Sequence, residues 1–196
     1  MKNIRLEKHM VAAAAVAVAS VANAAVVTWN CNLVIPANID GLYINVQTQT
    51  TGSAGSVVAG WDINPYSATS LTWFNATGTG MMRFPGVTTG SAGSLAQGTV
   101  VGAAGSYGSG AVVVGSAPGN WSLNADNYFG FRFVAADGLT HYGFGRMAVG
   151  STITSRTITL LAYEDLAATS ITVVPAPGAL ALVGAAGAIA GRRRRR

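Results

Sequence analysis

Few side chains in this chain could do acid–base or nucleophilic chemistry. Between residues 25 and 174 there is one histidine, His141, and one cysteine, Cys31. Hydrolysis needs a nucleophile, a base and a group that orients the base. No serine-centred elbow stands near His141, so it reads as a satisfied or surface histidine rather than a catalytic one. Glu164 and Asp165 are adjacent, so on a strand they face opposite sides of the sheet and make a poor carboxylate pair. Asp62 with Asn64, and Asp126 with Asn127, are oxygen-rich and could contribute to a calcium site. Neither lies in a regular acidic loop, and turn-forming or capping roles are commoner for such residues. The chain has no phosphate-cradling loop ending in Gly-Lys and no cysteine–histidine cluster. No catalytic residue, metal or cofactor is therefore expected. A single cysteine allows no intramolecular disulfide, and Cys31 reads as a small buried side chain.

Binding is a more open question than catalysis. The tryptophans are Trp29, Trp61, Trp73 and Trp121. Exposed indoles on a β-scaffold stack on sugar rings, whereas buried ones are large core side chains. Spacing does not decide between the two. Burial is the favoured reading, and Trp61, Trp73 and Trp121 are kept as candidate glycan contacts.

The elements that must position these residues are strands. No helical periodicity runs through residues 25–174. Short apolar runs recur instead, among them AVVTW, GLYINVQT, SVVAGWDI, SLTWFNA, AVVVG, YFGFRFV, THYGFGRMAV, RTITLLAYE and TSITVV, separated by Gly, Ser, Asn and Asp. This pattern predicts an all-β body, an antiparallel β-sandwich of jelly-roll-like form. Its best-defined unit is residues 127–150. Phe129, Phe131 and Phe133 share one face, with Gly130 and Arg132 on the other. Asp137-Gly138 predicts a two-residue hairpin turn. The return strand puts Tyr142, Phe144 and Arg146 on one side and His141, Gly143, Gly145 and Met147 on the other. The two glycines leave a strip that a neighbouring strand or an aromatic ring can cover. Residues 48–60 and 86–120 are rich in Gly, Ser, Ala and Thr, and TTGSAGS occurs in both. Such composition predicts mobile, exposed connections with little apolar burial.

Charge is confined to the ends. Lys2, Arg5 and Lys8 open the chain and Arg192, Arg193, Arg194, Arg195 and Arg196 close it. Between residues 25 and 174 four arginines stand against six carboxylates and no lysine, so the body is mildly acidic. A phosphate-binding surface needs clustered cations, and nucleic acid is not an expected partner. At the N-terminus a basic stretch, an apolar run from Met10 to Ala22 and the small-x-small site Ala22-Asn23-Ala24 predict a secretory signal peptide, residues 1–24, helical and cut after Ala24. At the C-terminus Pro175 and Pro177 interrupt regular structure, and Gly178 to Ala190 is apolar throughout. As a helix this run is about 20 Å long against a hydrocarbon core of about 30 Å. Five arginines will not cross a bilayer, so they stay cytoplasmic while the body is exported. A weakly held transmembrane helix of this kind suits a segment that is cut away.

Val174-Pro175-Ala176-Pro177, the short Gly- and Ala-rich apolar stretch and the terminal arginines resemble the PEP-CTERM sorting signal, over about 24 of the 196 residues. The family's usual glutamate is Ala176 here. The resemblance implies export across the inner membrane of a Gram-negative bacterium. It also implies transient tethering in that membrane, recognition of the Pro-x-Pro region by an exosortase-type membrane protease, and an association with exopolysaccharide and biofilm. The organisation expected is a signal peptide (1–24), an exported β-sandwich domain (25–172) and a sorting tail (173–196). The function expected is that of a non-enzymatic cell-surface or extracellular-matrix protein. The alternative is a carbohydrate-binding module for an exopolysaccharide.

Overall fold

Runs of β-branched and aromatic residues closed by Gly, Asn, Asp or Ser suit a pleated, half-buried surface better than a helix. The computed structural model describes residues 24–174, and they fold as strands. These are β1 (Val26–Val34), β2 (Tyr43–Asn45), β3 (Thr50–Gly52), β4 (Ile63–Tyr66), β5 (Thr72–Asn75), β6 (Gly80–Met82) and β7 (Val100–Val101). They continue as β8 (Tyr107–Gly108), β9 (Gly110–Ala111), β10 (Ala125–Val134), β11 (Thr140–Val149), β12 (Arg156–Glu164) and β13 (Ile171–Thr172). Two main sheets form, a six-stranded one in the order β1-β12-β11-β10-β6-β8 and a five-stranded one in the order β3-β2-β4-β5-β9. A small ribbon pairs β13 with β7. Every pairing between these strands is antiparallel.

The body is therefore all-β and sandwich-like, but its connectivity is not that of a jelly roll. In a jelly roll successive strands alternate between the sheets, whereas here β10, β11 and β12 form a meander inside one sheet and β4 and β5 a hairpin inside the other. Among the described residues no helix is long and apolar enough to cross a membrane. The expected signal helix and C-terminal transmembrane helix lie outside these residues.

The β10–β11 hairpin organises the core. Phe131 lies directly opposite Gly143, Phe129 opposite Gly145 and Phe133 opposite His141. The first two phenyl rings fold across the glycines facing them: a Cβ on Gly145 would sit 2.7 Å from Phe129 Cε2, and one on Gly143 would meet Phe131 and the Ala162 carbonyl oxygen. The rings continue as a ladder, Phe129–Phe131 at 6.3 Å, Phe131–Phe133 at 6.0 Å and Phe133–Tyr163 edge-on at 5.2 Å. Trp73 of β5 meets Phe129 at 4.8 Å, so the ladder joins the two sheets. Ile44, Val46, Ile63 and Leu71 complete the layer between them.

The turn of this hairpin is longer than the two residues predicted. Ala135 N–H donates to Leu139 O and Gly138 N–H to Ala135 O, which leaves Ala136, Asp137 and Gly138 as a three-residue loop. Gly138, at φ 78°, takes the left-handed position such a loop needs.

The six-stranded sheet is covered on its second face as well. Tyr142 and Phe144 of β11 and Leu160 and Ala162 of β12 pack against Met82, Leu95, Val101, Ile171 and Val173. Leu95 and Val101 belong to the Gly- and Ser-rich stretch expected to be exposed, and Ala92 and Val58, also in these low-complexity segments, are buried too. A few apolar residues landing on a sheet face are enough to fix such a segment, whatever its average composition. Val173 is buried and its N–H donates to Thr99 O, so the packed body extends one residue past 172. The run SVVAGWDI is likewise not one strand. Gly55–Val57 form a 3-10 turn and β4 starts only at Ile63.

Filling the space over Gly145 should be costly. Gly145→Ala is expected to lower the unfolding free energy by about 1–3 kcal/mol through overpacking, measured by urea denaturation. Because its close neighbours are all atoms of Phe129, the double variant with Phe129→Leu should lose less than the sum of the two single losses.

Candidate functional site: an aromatic platform

Strand alternation separates the tryptophans. On β5, Trp73 points into the core at 1% exposure while its neighbour Phe74 points outward at 51%. Trp121 is fully buried, and its Nε1 donates to Ala92 O at 3.1 Å. Neither Trp73 nor Trp121 can reach a sugar ring, which corrects their standing as candidate glycan contacts. Trp29 is half-buried against the main core.

Trp61 is placed differently. It precedes β4 and lies half-buried between Tyr43 of β2 and Phe74. Tyr43 meets it edge-on at 4.9 Å and 87°, and Phe74 lies at 5.5 Å with the planes 32° apart. Three aromatic side chains thus form one surface on the outer face of the five-stranded sheet. Phe74 faces Asn64 across β4–β5, and that amide donates to Asp40 O at 2.8 Å. A face of this kind offers CH–π and stacking contacts to an apolar ligand surface. Among the candidates Trp61, Trp73 and Trp121, only Trp61 belongs to it. Tyr43 and Phe74 were missed, although the alternation at Trp73-Phe74 already requires one of the two rings to face outward.

His141, Asp137, Asp126 and Arg146 pair with protein groups, whereas the buried Glu164 Oε1 has no hydrogen-bond partner. His141 is buried. Its Nδ1 lies 2.9 Å from Glu164 O and its Nε2 lies 3.1 Å from Asp137 Oδ2, with the Phe133 ring alongside at 5.6 Å, tilted by 34°. No serine or cysteine stands among these partners. The Leu139 N–H and, next, His141 hold the exposed Asp137 carboxyl below its ordinary range. Glu164 ends β12 and is buried, while Asp165, in the bend that follows, is exposed. Asp126 reaches Arg146 at 3.7 Å. The buried Asn127 uses its whole amide, accepting from Ser122 N–H and Ser94 Oγ and donating to Ser122 O and Ala125 O. Among the described residues no three His, Cys, Asp or Glu side chains gather as metal ligands. Cys31 is half-buried with its Sγ 3.5 Å from Ile158 O, and burial pushes its thiol up to about 11.

Among the described residues, two of the recesses bear on chemistry. One, of about 530 Å³, lies between Met82–Thr88, Thr99–Ser106 and Ser170 and contains no carboxylate, histidine or cysteine. Its Arg83 is held by Gly90 O, Ser106 Oγ and Tyr107 O. The other, of about 360 Å³, has Asp62 in its wall beside Asn45, Gln47 and Phe133. Asp62 Oδ2 accepts from Val46 N–H at 2.8 Å, and burial pushes its carboxyl up to about 6.

The last value fixes a pH dependence. The unfolded carboxyl loses its proton near its ordinary 3.8, the folded one near 6. Between these values the folded chain holds a proton that the unfolded chain has released, so stability falls as pH rises from about 4 to 6 and then levels. The expected drop is on the order of 3 kcal/mol, read by denaturation across that range, and Asp62→Asn should flatten it.

No protein-family model, no curated protein and no solved structure matches this chain.

Proposed function

We propose that this chain is an exported, non-enzymatic protein of the cell surface or extracellular matrix, with a structural or adhesive role, trimmed at both ends. A signal helix over residues 1–24 would start its export. A weak transmembrane helix ahead of Arg192–Arg196 would hold it in the inner membrane of a Gram-negative bacterium until an exosortase-type protease acted at Val174–Pro177. The supporting observation is where the body's bonds begin and end. Ala25 N–H donates to Asp165 Oδ1 at 2.7 Å and Asp165 N–H returns to Ala25 O, while Ala24 just before it is exposed. At the other end Val173 is buried and Val174 is 41% exposed. Cuts after Ala24 and beyond Val174 would therefore sever no packed residue. Ala22, Pro175, Ala176, Pro177 and the arginines lie outside the described residues. Commitment of both His141 nitrogens to Asp137 and the Glu164 carbonyl supports the non-enzymatic part of the reading.

Intact-mass measurement of the protein recovered from outside its host cells tests this. The expected species begins at Ala25 and lacks the arginine cluster. A species carrying both original ends would overturn the reading.

A second reading, a carbohydrate-binding module for the host's exopolysaccharide, is favoured by the Tyr43–Trp61–Phe74 surface. Stacking contributes about 0.5–1.5 kcal/mol per ring. Trp61→Ala or Phe74→Ala should then weaken retention on the purified polymer roughly 3- to 10-fold, with exposed Val134→Ala unchanged. Equal retention of all four proteins would remove this reading and leave the first standing.

A further inference from the structure

The edges of the sheets differ sharply. An unpaired edge offers free N–H and C=O groups to any strand that can dock on it, and folded proteins blunt such edges by shortness, charge or proline. β8, β3 and β9 are two or three residues long. β1 is nine residues long and carries neither charge nor proline. It pairs with β12 on one side, and among the described residues no strand pairs on the other.

Which backbone groups are free follows from its partners. Asp165 N–H donates to Ala25 O and Ile35 N–H to Arg156 O, so Ala25 and Ile35 turn toward β12. Alternation then turns the N–H and C=O of Val26, Thr28 and Asn30 to the open side. A register shift between Asn30 and Leu33 ends the regular stretch. Five residues, Val26 to Asn30, remain as a straight template. Their side chains alternate between an exposed face, Val26, Thr28 and Asn30, and a half-buried face, Val27 and Trp29, which touches the core yet stays partly open at the rim.

We infer that β1 is the docking edge for a second copy of this chain, paired antiparallel about a two-fold axis through Thr28. This stretch complements itself in that register. Thr28 faces Thr28 of the second copy, Val27 faces its Trp29, and Val26 faces its Asn30. Thr–Thr and aromatic–β-branched pairs are among the favourable cross-strand combinations. The pairing makes about six backbone hydrogen bonds and extends the six-stranded sheets into one. It also covers the open sides of both Trp29 rings. β1 brings no charged side chain to the contact, and the shared symmetry makes it closed, a dimer rather than a fibre.

Sedimentation of the protein, with its ends as the host leaves them, is expected to show a concentration-dependent dimer. Thr28→Lys sits on the exposed face and places two ammonium groups opposite each other, so the dissociation constant should rise at least about tenfold. A wild-type monomer at several hundred micromolar overturns the inference, as does an association that Thr28→Lys leaves unchanged. Crosslinking with a short bis-maleimide supplies a second measurement, independent of how Thr28→Lys folds. In a Cys31→Ser background, Thr28→Cys should give covalent dimer. Asn32→Cys should not, because its two copies lie about 27 Å apart along the strands. Crosslinking at residue 32 but not at 28 also overturns the inference.

Discussion

Three phenyl rings side by side on one strand need somewhere to lie, and the strand opposite supplies it. Gly145 and Gly143 face Phe129 and Phe131, and the flat imidazole of His141 faces Phe133. With no side chain beneath them, the Phe129 and Phe131 rings tip across the partner strand instead of standing upright between the sheets. The inner face of the hairpin becomes a low pavement. Trp73 and Trp121 then approach Phe129 to 4.8 Å and 6.2 Å. Side chains on both glycines would hold the rings off and with them the five-stranded sheet.

The same strand has a second face to satisfy. Tyr142 and Phe144 alternate with the two glycines and project away from the main core, so the six-stranded sheet is apolar on both sides in its middle. A sheet of this kind cannot leave one face in water, as many antiparallel sheets do. The β7–β13 ribbon, with Leu95, closes it. Because β13 is also the end of the packed body, the second core depends on residues that immediately precede the Pro-x-Pro segment.

How much of this was legible in advance varies by element. The hairpin was, since alternating Phe and alternating Gly fix which side chains face each other once the strands pair. The Asp137-Gly138 turn was located but shortened, because the Ala135 N–H donates to Leu139 O across the loop, a backbone bond to which neither side chain gives a clue. Burial of Leu95, Val101 and Ala92 was hidden by averaging. A window dominated by Gly and Ser reports the mean, whereas packing depends on single residues placed opposite Phe144 or Trp121. The aromatic platform was half legible: Trp61 was flagged, but assembling it with Tyr43 and Phe74 takes the β2–β4–β5 pairing, which no local pattern encodes.

The sparse charges show how the sheets are pinned. Arg156 on β12 donates to Ser70 O, Ser67 O and Pro36 O, tying the six-stranded sheet to the loops around β4 and β5. Arg83 grips carbonyls in the same way, and Arg132 lies 4.9 Å over the Tyr107 ring. These cations are matched by neutral acceptors, not carboxylates, so their hold does not lapse when acids are protonated. Burial lowers Arg156 only to about 10, which keeps it charged throughout the ordinary range. The clamps therefore stay constant with pH. Titration reaches the core instead through Asp62, a carboxyl that packs beside Phe133 at the end of the ring ladder, and whose burial is the cost of closing the two sheets over one another.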